Sequence, residues 1–273
     1  MVESFRAGFR GGVEKAASLG VEGIQAYATY GELAPENMTA AKIKETLDIV
    51  YSHGMVFSAI CGDFCVGFAD PEKNKIYVEK SKRVLDLAKE LNCNVVTTHI
   101  GVVPVEENEK KKIMREACHE LAVYADSIGS AFAVETGPEL ATVLCDFLDS
   151  LDAGGVRVNF DPANLVMVTG DDPVQAVYRL RDYIVHTHAK DGIKLLDRDP
   201  EIIYGIRNIE EVISEGEAFR EVPLGQGNVP FPAYLAALEK IDYRGYLTIE
   251  REVGEDPVAD ITLAADFLKN LMK

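Results

Sequence analysis

The strongest constraint in this sequence is the order in which its apolar residues change period. Short runs rich in β-branched and aromatic residues alternate with longer stretches spaced for helices. "VEGIQAYA" (21–28) precedes "TAAKIKETLDIVYSHG" (39–54), where Ile43, Leu47 and Val50 lie three and four apart on one helical face. The pattern continues with "MVFSAI" (55–60) and a helix over 73–91, "NVVTTHIG" (94–101) and a helix over 106–128, and "AFAVETG" (131–137) and a helix over 138–151. "VRVNFDPAN" (156–164), "YIVHTH" (183–188) and "YLTIE" (246–250) follow, with helices over 172–181, 231–240 and 257–271. Apolar runs of about five residues bounded by turns suit parallel strands buried on both faces.

Seven strands are clear, each followed by a helix. An eighth would have to precede "GGVEKAASLG" (11–20), where only "MVESF" is available. That run is expected to be the stub of a first strand, as in a chain that begins at an internal methionine. Eight βα units at this length predict an α/β fold, a (β/α)8 TIM barrel with its first strand short or truncated. An open doubly wound sheet is disfavoured, because no G-x-G-x-x-G loop follows an early strand. One domain is expected over 1–273. The stretch from 192 to about 220 shows no clear strand and is long for a βα loop, so a lid is expected there, with a short helix within 202–216.

No run of about 18 apolar residues and no signal-like apolar core at the N-terminus is present. Five cysteines without a C-x-x-C pair argue against a disulfide framework or a structural zinc site and for a cytoplasmic setting. The formal charge of −17 disfavours nucleic acid and anionic membranes as partners. The remaining partners are a small-molecule substrate and, in a homo-oligomer, further copies of the chain.

A barrel of this type builds its active site at the C-terminal ends of the strands. Five consecutive strands end in an ionisable residue: His99, Glu135, Asp161, His188 and Glu250. Each has an ordinary reading alone: a helix-terminus charge for Glu135, a turn residue for Asp161, a surface pair for Glu250, a satisfied imidazole for His99. Together they would leave several unpaired polar groups in an apolar mouth, which a divalent cation resolves. Three carboxylates and one imidazole, from Glu135, Asp161, His188 and Glu250, suit Mn²⁺ best, with Mg²⁺, Co²⁺ and Zn²⁺ open. His186 shares a face with His188 but lies about 6.6 Å deeper, so it is expected to support the ligand or fill the barrel. Lys190, Lys194, Arg251 and His99 are candidates for orienting substrate oxygens, or equally solvated charges and helix partners. "PLGQG" (223–227) reads as a tight turn at the rim.

At these residues the chain resembles the sugar-phosphate isomerase/epimerase family of xylose-isomerase-like barrels. The carriers are "VET" (134–136), "VNFDPANL" (158–165), "HTHAKDG" (186–192), "VPLGQGNV" (222–229) and "LTIERE" (247–252). The resemblance implies one divalent metal on Glu135, Asp161, His188 and Glu250, with the two glutamates as the catalytic acid/base pair. It implies a metal-dependent epimerase or isomerase that removes a proton from a ketose or related sugar through a metal-bound enediolate. An inosose-type keto-sugar dehydratase and a non-catalytic metal- or carbohydrate-binding barrel are the alternatives. The related endonucleases that cut at abasic sites need more histidines. This chain has Asn164 where they carry one, and "AFREVP" supplies neither an Asp nor a His before "LGQG", so DNA cleavage is disfavoured. In the epimerases a histidine at the position of Asn164 often touches substrate, so Asn164 is a substrate-binding candidate here.

Overall fold

A computed structural model describes residues 1–207 and 216–273. Seven parallel strands form one sheet: β1 (Gly23–Tyr27), β2 (Val56–Cys61), β3 (Val95–Thr98), β4 (Ala131–Glu135), β5 (Val156–Phe160), β6 (Ile184–Ala189) and, later in the chain, β9 (Leu247–Ile249). They neighbour one another in that order, and helices follow them on the outside. The result is the nearly closed barrel the alternating pattern predicts. Val96, Phe132, Val134, Val158 and Phe160 are fully buried. No helix among the described residues is long and apolar enough to cross a membrane.

Five helices begin at the same local signal, an aspartate followed by proline. Asp70, Asp161, Asp172, Asp199 and Asp256 precede α3 (Pro71–Glu90), α6 (Pro162–Asn164), α7 (Pro173–Arg179), α8 (Pro200–Ile203) and α10 (Pro257–Leu271), and each carboxylate accepts at least one first-turn N–H. The aspartate satisfies donors the helix leaves free, and proline brings a preset φ where no donor is needed. A π-helical stretch, Leu165–Thr169, continues α6.

The expected first strand is not one. Glu3–Phe5 form a 3₁₀ turn, and Val2 already has helical dihedrals (φ −68°, ψ −40°). The chain turns sharply because Glu3 Oε1 accepts the Tyr27 N–H at 2.9 Å, and because α1 (Gly8–Ser18) packs tightly on Val2. A Cβ on Gly12 would lie 2.6 Å from Val2 Cγ1. What remains of the strand is two bonds. The Met1 amine donates to Ile249 O at 2.8 Å, and Val2 N–H donates to Gln25 O at 2.9 Å, so the terminus joins β9 to β1.

The stretch 192–220 also differs from expectation. It does hold strands: β7 (Asp191–Lys194) pairs antiparallel with β8 (Phe219–Val222), and α8 lies between them. Of the helix expected within 202–216, only the last turn of α8 is described, and 208–215 lie outside the described residues. The turn at 223–227 is fixed by the buried Asp191. Its carboxylate accepts the N–H groups of Gly192, Gly225 and Gly227 at 2.9 Å each and of Val229 at 3.1 Å. Gly225 has φ +83°, which only glycine adopts without strain.

Candidate metal centre

The inward face of the barrel is polar, and its groups are wired in sequence. Thr248 Oγ1 donates to His186 Nε2 (2.9 Å), His186 Nδ1 donates to Asn159 Oδ1 (2.8 Å), and Asn159 Nδ2 donates to Glu135 Oε2 (3.0 Å). Both ring nitrogens of His186 are therefore used, and burial holds its pKa well below the usual imidazole value. It fills the barrel as a neutral ring, as its depth on the strand suggested.

One layer higher, Glu135, Asp161, His188 and Glu250 converge, all buried, with one ligand atom from each within 4.8 Å of the others. His188 Nδ1 lies 3.5 Å from Glu135 Oε1, 3.5 Å from Asp161 Oδ2 and 3.3 Å from Glu250 Oε2. Each side chain is aimed by a specific bond. Asp161 divides its two oxygens: Oδ1 caps α6 through the N–H groups of Ala163 (2.8 Å) and Asn164 (2.9 Å), which turns Oδ2 to the cluster. Glu135 is held by Asn159 and by Asn164 Nδ2, which donates to Oε1 at 2.9 Å. His188 Nε2 lies 3.1 Å from Gln25 Oε1, and Gln25 Nε2 donates to Thr97 Oγ1 at 2.9 Å. Lys190 Nζ donates to Glu250 Oε2 at 3.1 Å and also reaches Glu252.

Two atoms in this layer, His188 Nδ1 and Asp161 Oδ2, are buried without a hydrogen-bond partner. Buried polar atoms are rarely left so. Both face the point where all four side chains meet, and a divalent cation there would satisfy each. Burial alone would pull the His188 imidazole down, but the charges of Glu250 and Glu135 outweigh it and carry its pKa well above the usual value. Burial would push the Glu250 carboxyl up, yet His188 and Lys190 hold it well below the carboxylate range. The site thus stabilises positive charge at its centre, which is what a cation-binding pocket must do. The donor set, oxygen with one nitrogen, fits Mg²⁺, Mn²⁺, Co²⁺ or Zn²⁺.

The other sequence candidates separate. His99 follows β3 at the rim, with Nδ1 bonded to Asp63 Oδ2 at 2.8 Å and Nε2 3.8 Å from Glu135 Oε1. Burial lowers the affinity of His99 for a proton, but Glu135 and Asp63 outweigh that and raise its pKa to about 9. The Tyr204 ring lies against it, 5.5 Å between centroids. Asn164 and Lys190 sit in the cluster as described. Lys194 pairs with Asp197 at 2.6 Å, and Arg251 pairs with Glu221 (2.6 Å) and Asp260 (2.7 Å). For these two the structure gives the ion-pair alternative. Sequence reasoning missed Gln25, Asp63, Asn159 and Tyr204. Gln25 and Asn159 carried a signal: each is an amide inside an otherwise apolar strand run. Asp63 and Tyr204 lie on loops with no period to mark them.

The same architecture recurs in known proteins. A xylose isomerase domain protein from Planctomyces limnophilus is 27% identical and superposes with a TM-score of 0.80, covering 96% of this chain and 91% of its own. A D-tagatose 3-epimerase-like protein, 18% identical, gives 0.73 over 98% and 96% of the two chains. The probable 3-DHS dehydratase AsbF from Bacillus anthracis, 17% identical, gives 0.71 over 94% and 92%. The sequence profile of the xylose isomerase-like TIM barrel family matches residues 13–271, and the chain belongs to that family.

Proposed function

We propose that this chain is a divalent-metal-dependent epimerase or isomerase of a ketose or related sugar. The observation that carries the reading is the pair of unsatisfied buried atoms, His188 Nδ1 and Asp161 Oδ2, at the meeting point of Glu135, Asp161, His188 and Glu250. Manganese is the favoured ion, because a single imidazole among oxygen donors suits it better than magnesium. When bound, the ion supplies Lewis acidity that makes the carbon beside a carbonyl more acidic.

The chain's own groups do the proton transfer. Glu135 and Glu250 come from β4 and β9, with β5 and β6 between them, so they approach one point from different sides. One takes the proton from the carbon and the other returns it. Return to the opposite face of the same carbon epimerises the sugar, and return to the neighbouring carbon isomerises it. Steps of this kind contribute about 10²–10⁴-fold each. Lys190 keeps Glu250 ionised and therefore able to accept. Asn164 and Asn159 fix the Glu135 oxygens, and His99 Nε2, beside Glu135, is placed to donate to a substrate oxygen. The Tyr204 ring lies against His99 on that side of the site. That the D-tagatose 3-epimerase-like protein shares the fold over both chains' full span supports a sugar as substrate.

A second reading, a keto-sugar dehydratase, is favoured by His99. An imidazolium bonded to Asp63 and next to a candidate base is suited to protonate a departing hydroxyl. The likeness to the probable 3-DHS dehydratase agrees with it. The test is solvent deuterium exchange into a panel of ketoses and inososes, with Mn²⁺ restored after chelation. Carbon-bound deuterium with product of the same mass class supports the first reading, and loss of water supports the second. No exchange and no elimination across the panel would leave only a binding protein.

A further inference from the structure

Helices that follow barrel strands begin beside the mouth. An anionic group on a substrate is held there by lysine or arginine side chains, or by free N–H groups at helix starts. In this chain its own acids already engage both kinds of partner. Asp70, Asp161, Asp172, Asp199 and Asp256 accept first-turn N–H groups of their helices. Asp171 Oδ2 accepts the Ala141 N–H at 2.9 Å, at the start of α5 (Ala141–Asp149). A second anion at any of these starts would meet a carboxylate in place of open donors.

The charged side chains follow the same rule. The connections after β1 to β5, residues 28–39, 62–70, 99–108, 136–140 and 161–172, contain no lysine or arginine, and each contains at least one aspartate or glutamate. Lysine and arginine enter only after β6 and β9, within 190–230 and 250–256. There Lys190 is enclosed by Glu250, Glu252 and Glu221 at 3.1, 2.5 and 3.9 Å. Lys194 and Arg251 are paired as described above. Arg207 pairs with Asp199, Arg220 pairs with Glu217 at 2.9 Å, and Arg198 Nη2 donates to Gly216 O at 2.9 Å. Residues 208–215, "NIEEVISE", contain no lysine or arginine. At the centre, Glu135, Asp161 and Glu250 together carry more charge than one divalent ion neutralises, so a bound ion leaves no positive excess.

What the mouth leaves open suits a hydroxyl. His99 Nε2 is buried without a hydrogen-bond partner. The ring already faces Asp63 (2.8 Å) and Glu135 (3.8 Å), so it offers a donor without surplus charge. Beside it, the Tyr204 hydroxyl lies 3.1 Å from where a Cβ on Gly137 would stand, just past the end of β4 and Glu135.

Resting on the reading of this site as a sugar epimerase or isomerase, we infer that its substrate class is the uncharged polyhydroxy ketone, with neither phosphate nor carboxylate, and that His99 and Tyr204 hold one of its hydroxyls. The chain's own carboxylates make the selection, because an anionic substituent meets like charge wherever it could have met a donor.

The test pairs uncharged ketoses with charged counterparts on the Mn²⁺-loaded protein: D-fructose with D-fructose 6-phosphate and with 5-keto-D-gluconate, D-xylulose with D-xylulose 5-phosphate, and D-tagatose with D-tagatose 6-phosphate. Deuterium exchange and calorimetric affinity are read at about 0.02 M and about 0.3 M salt, a span over which screening changes several-fold. At low salt, kcat/KM for the better uncharged members is expected to exceed that of their charged partners by about 100-fold or more. Affinity for the charged members should rise with salt as repulsion is screened, and affinity for the uncharged ones should stay constant. Tyr204→Phe should raise the KM of the uncharged ketose by about 3–10-fold, the loss of one hydrogen bond; an unchanged KM would overturn the hydroxyl contact. A charged member used as well as its uncharged partner, or bound more weakly as salt rises, would overturn the inference and leave the enzyme reading standing. No exchange into any sugar, charged or uncharged, would overturn the enzyme reading and this inference with it.

Discussion

The assignment of His188 Nδ1 as the metal-facing atom requires that Nε2 carry the ring's proton. Gln25 enforces this. Its Oε1 sits 3.1 Å from Nε2 and accepts, while the amide's NH₂ group donates to Thr97 Oγ1 at 2.9 Å. Gln25 and His188 are both only 1% exposed, so no solvent replaces a lost acceptor. Gln25→Leu therefore strands a buried N–H, at a cost of about 1–3 kcal/mol. It also frees the ring to place its proton on Nδ1, where three carboxylates compete for it. Metal sites lose about 10–100-fold in affinity when such an orienting partner is removed. Calorimetric titration of chelator-treated protein with Mn²⁺ should show a loss within that range for Gln25→Leu. Gln25→Glu, which keeps an acceptor, should bind at least as tightly as the parent. Equal affinity for the parent and the leucine variant would refute the tautomer argument and with it the choice of Nδ1.

Three further outcomes follow from the same structure. Glu250→Gln should abolish deuterium exchange into substrate and weaken metal binding; parental turnover in that variant would remove Glu250 from the mechanism. Glu139 is buried, accepts one N–H from Val103 at 2.9 Å, and has its pKa pushed by burial up to about 8. A carboxyl raised in the folded state holds more protons there than when unfolded, so its contribution declines as pH climbs from about 4.5 through about 8. Glu139→Gln should thus raise Tm at pH 9 and leave it nearly unchanged at pH 4.5, with about 5 kcal/mol as the ceiling; a shift equal at both pH values would contradict the burial argument. Asp191→Ala removes the acceptor of four main-chain donors and should cost about 4 kcal/mol, or roughly 10 °C in a thermal melt. A drop under 2 °C would mean that the 223–229 turn holds without its clamp.

Much of this architecture is written in residue order. Strand and helix identities followed from period, because a strand buried on both faces leaves little room for polar residues except at its end. That same logic exposed Glu135, Asp161, His188 and Glu250, since a charge at the end of an apolar run stands out. The supporting residues were harder to find for physical reasons. Gln25 is one amide among apolar neighbours, and only the partner across the barrel, 163 positions away, reveals its use. Asp63 takes its meaning from His99, on the next strand's end. The β7–β8 pair escaped because its strands are short, carry charge and pair only with each other. "MVESF" misled because strand propensity says nothing of Glu3, whose side chain captures a main-chain donor of β1 and bends the chain away. For Arg251 and Lys194 the sequence leaves substrate contact and ion pairing equally open, because a charge on a rim loop has the same appearance whether it meets a sugar or a neighbouring aspartate.

The claim on which the rest depends is that a lone cation sits where these four side chains converge. Crystals soaked in Mn²⁺ and measured at the manganese edge test it directly. One anomalous peak in contact with His188 Nδ1 and an oxygen of each of Glu135, Asp161 and Glu250 is the predicted result. Diffraction from fully soaked crystals with the peak absent there, or bound elsewhere with the four side chains unchanged, would contradict it.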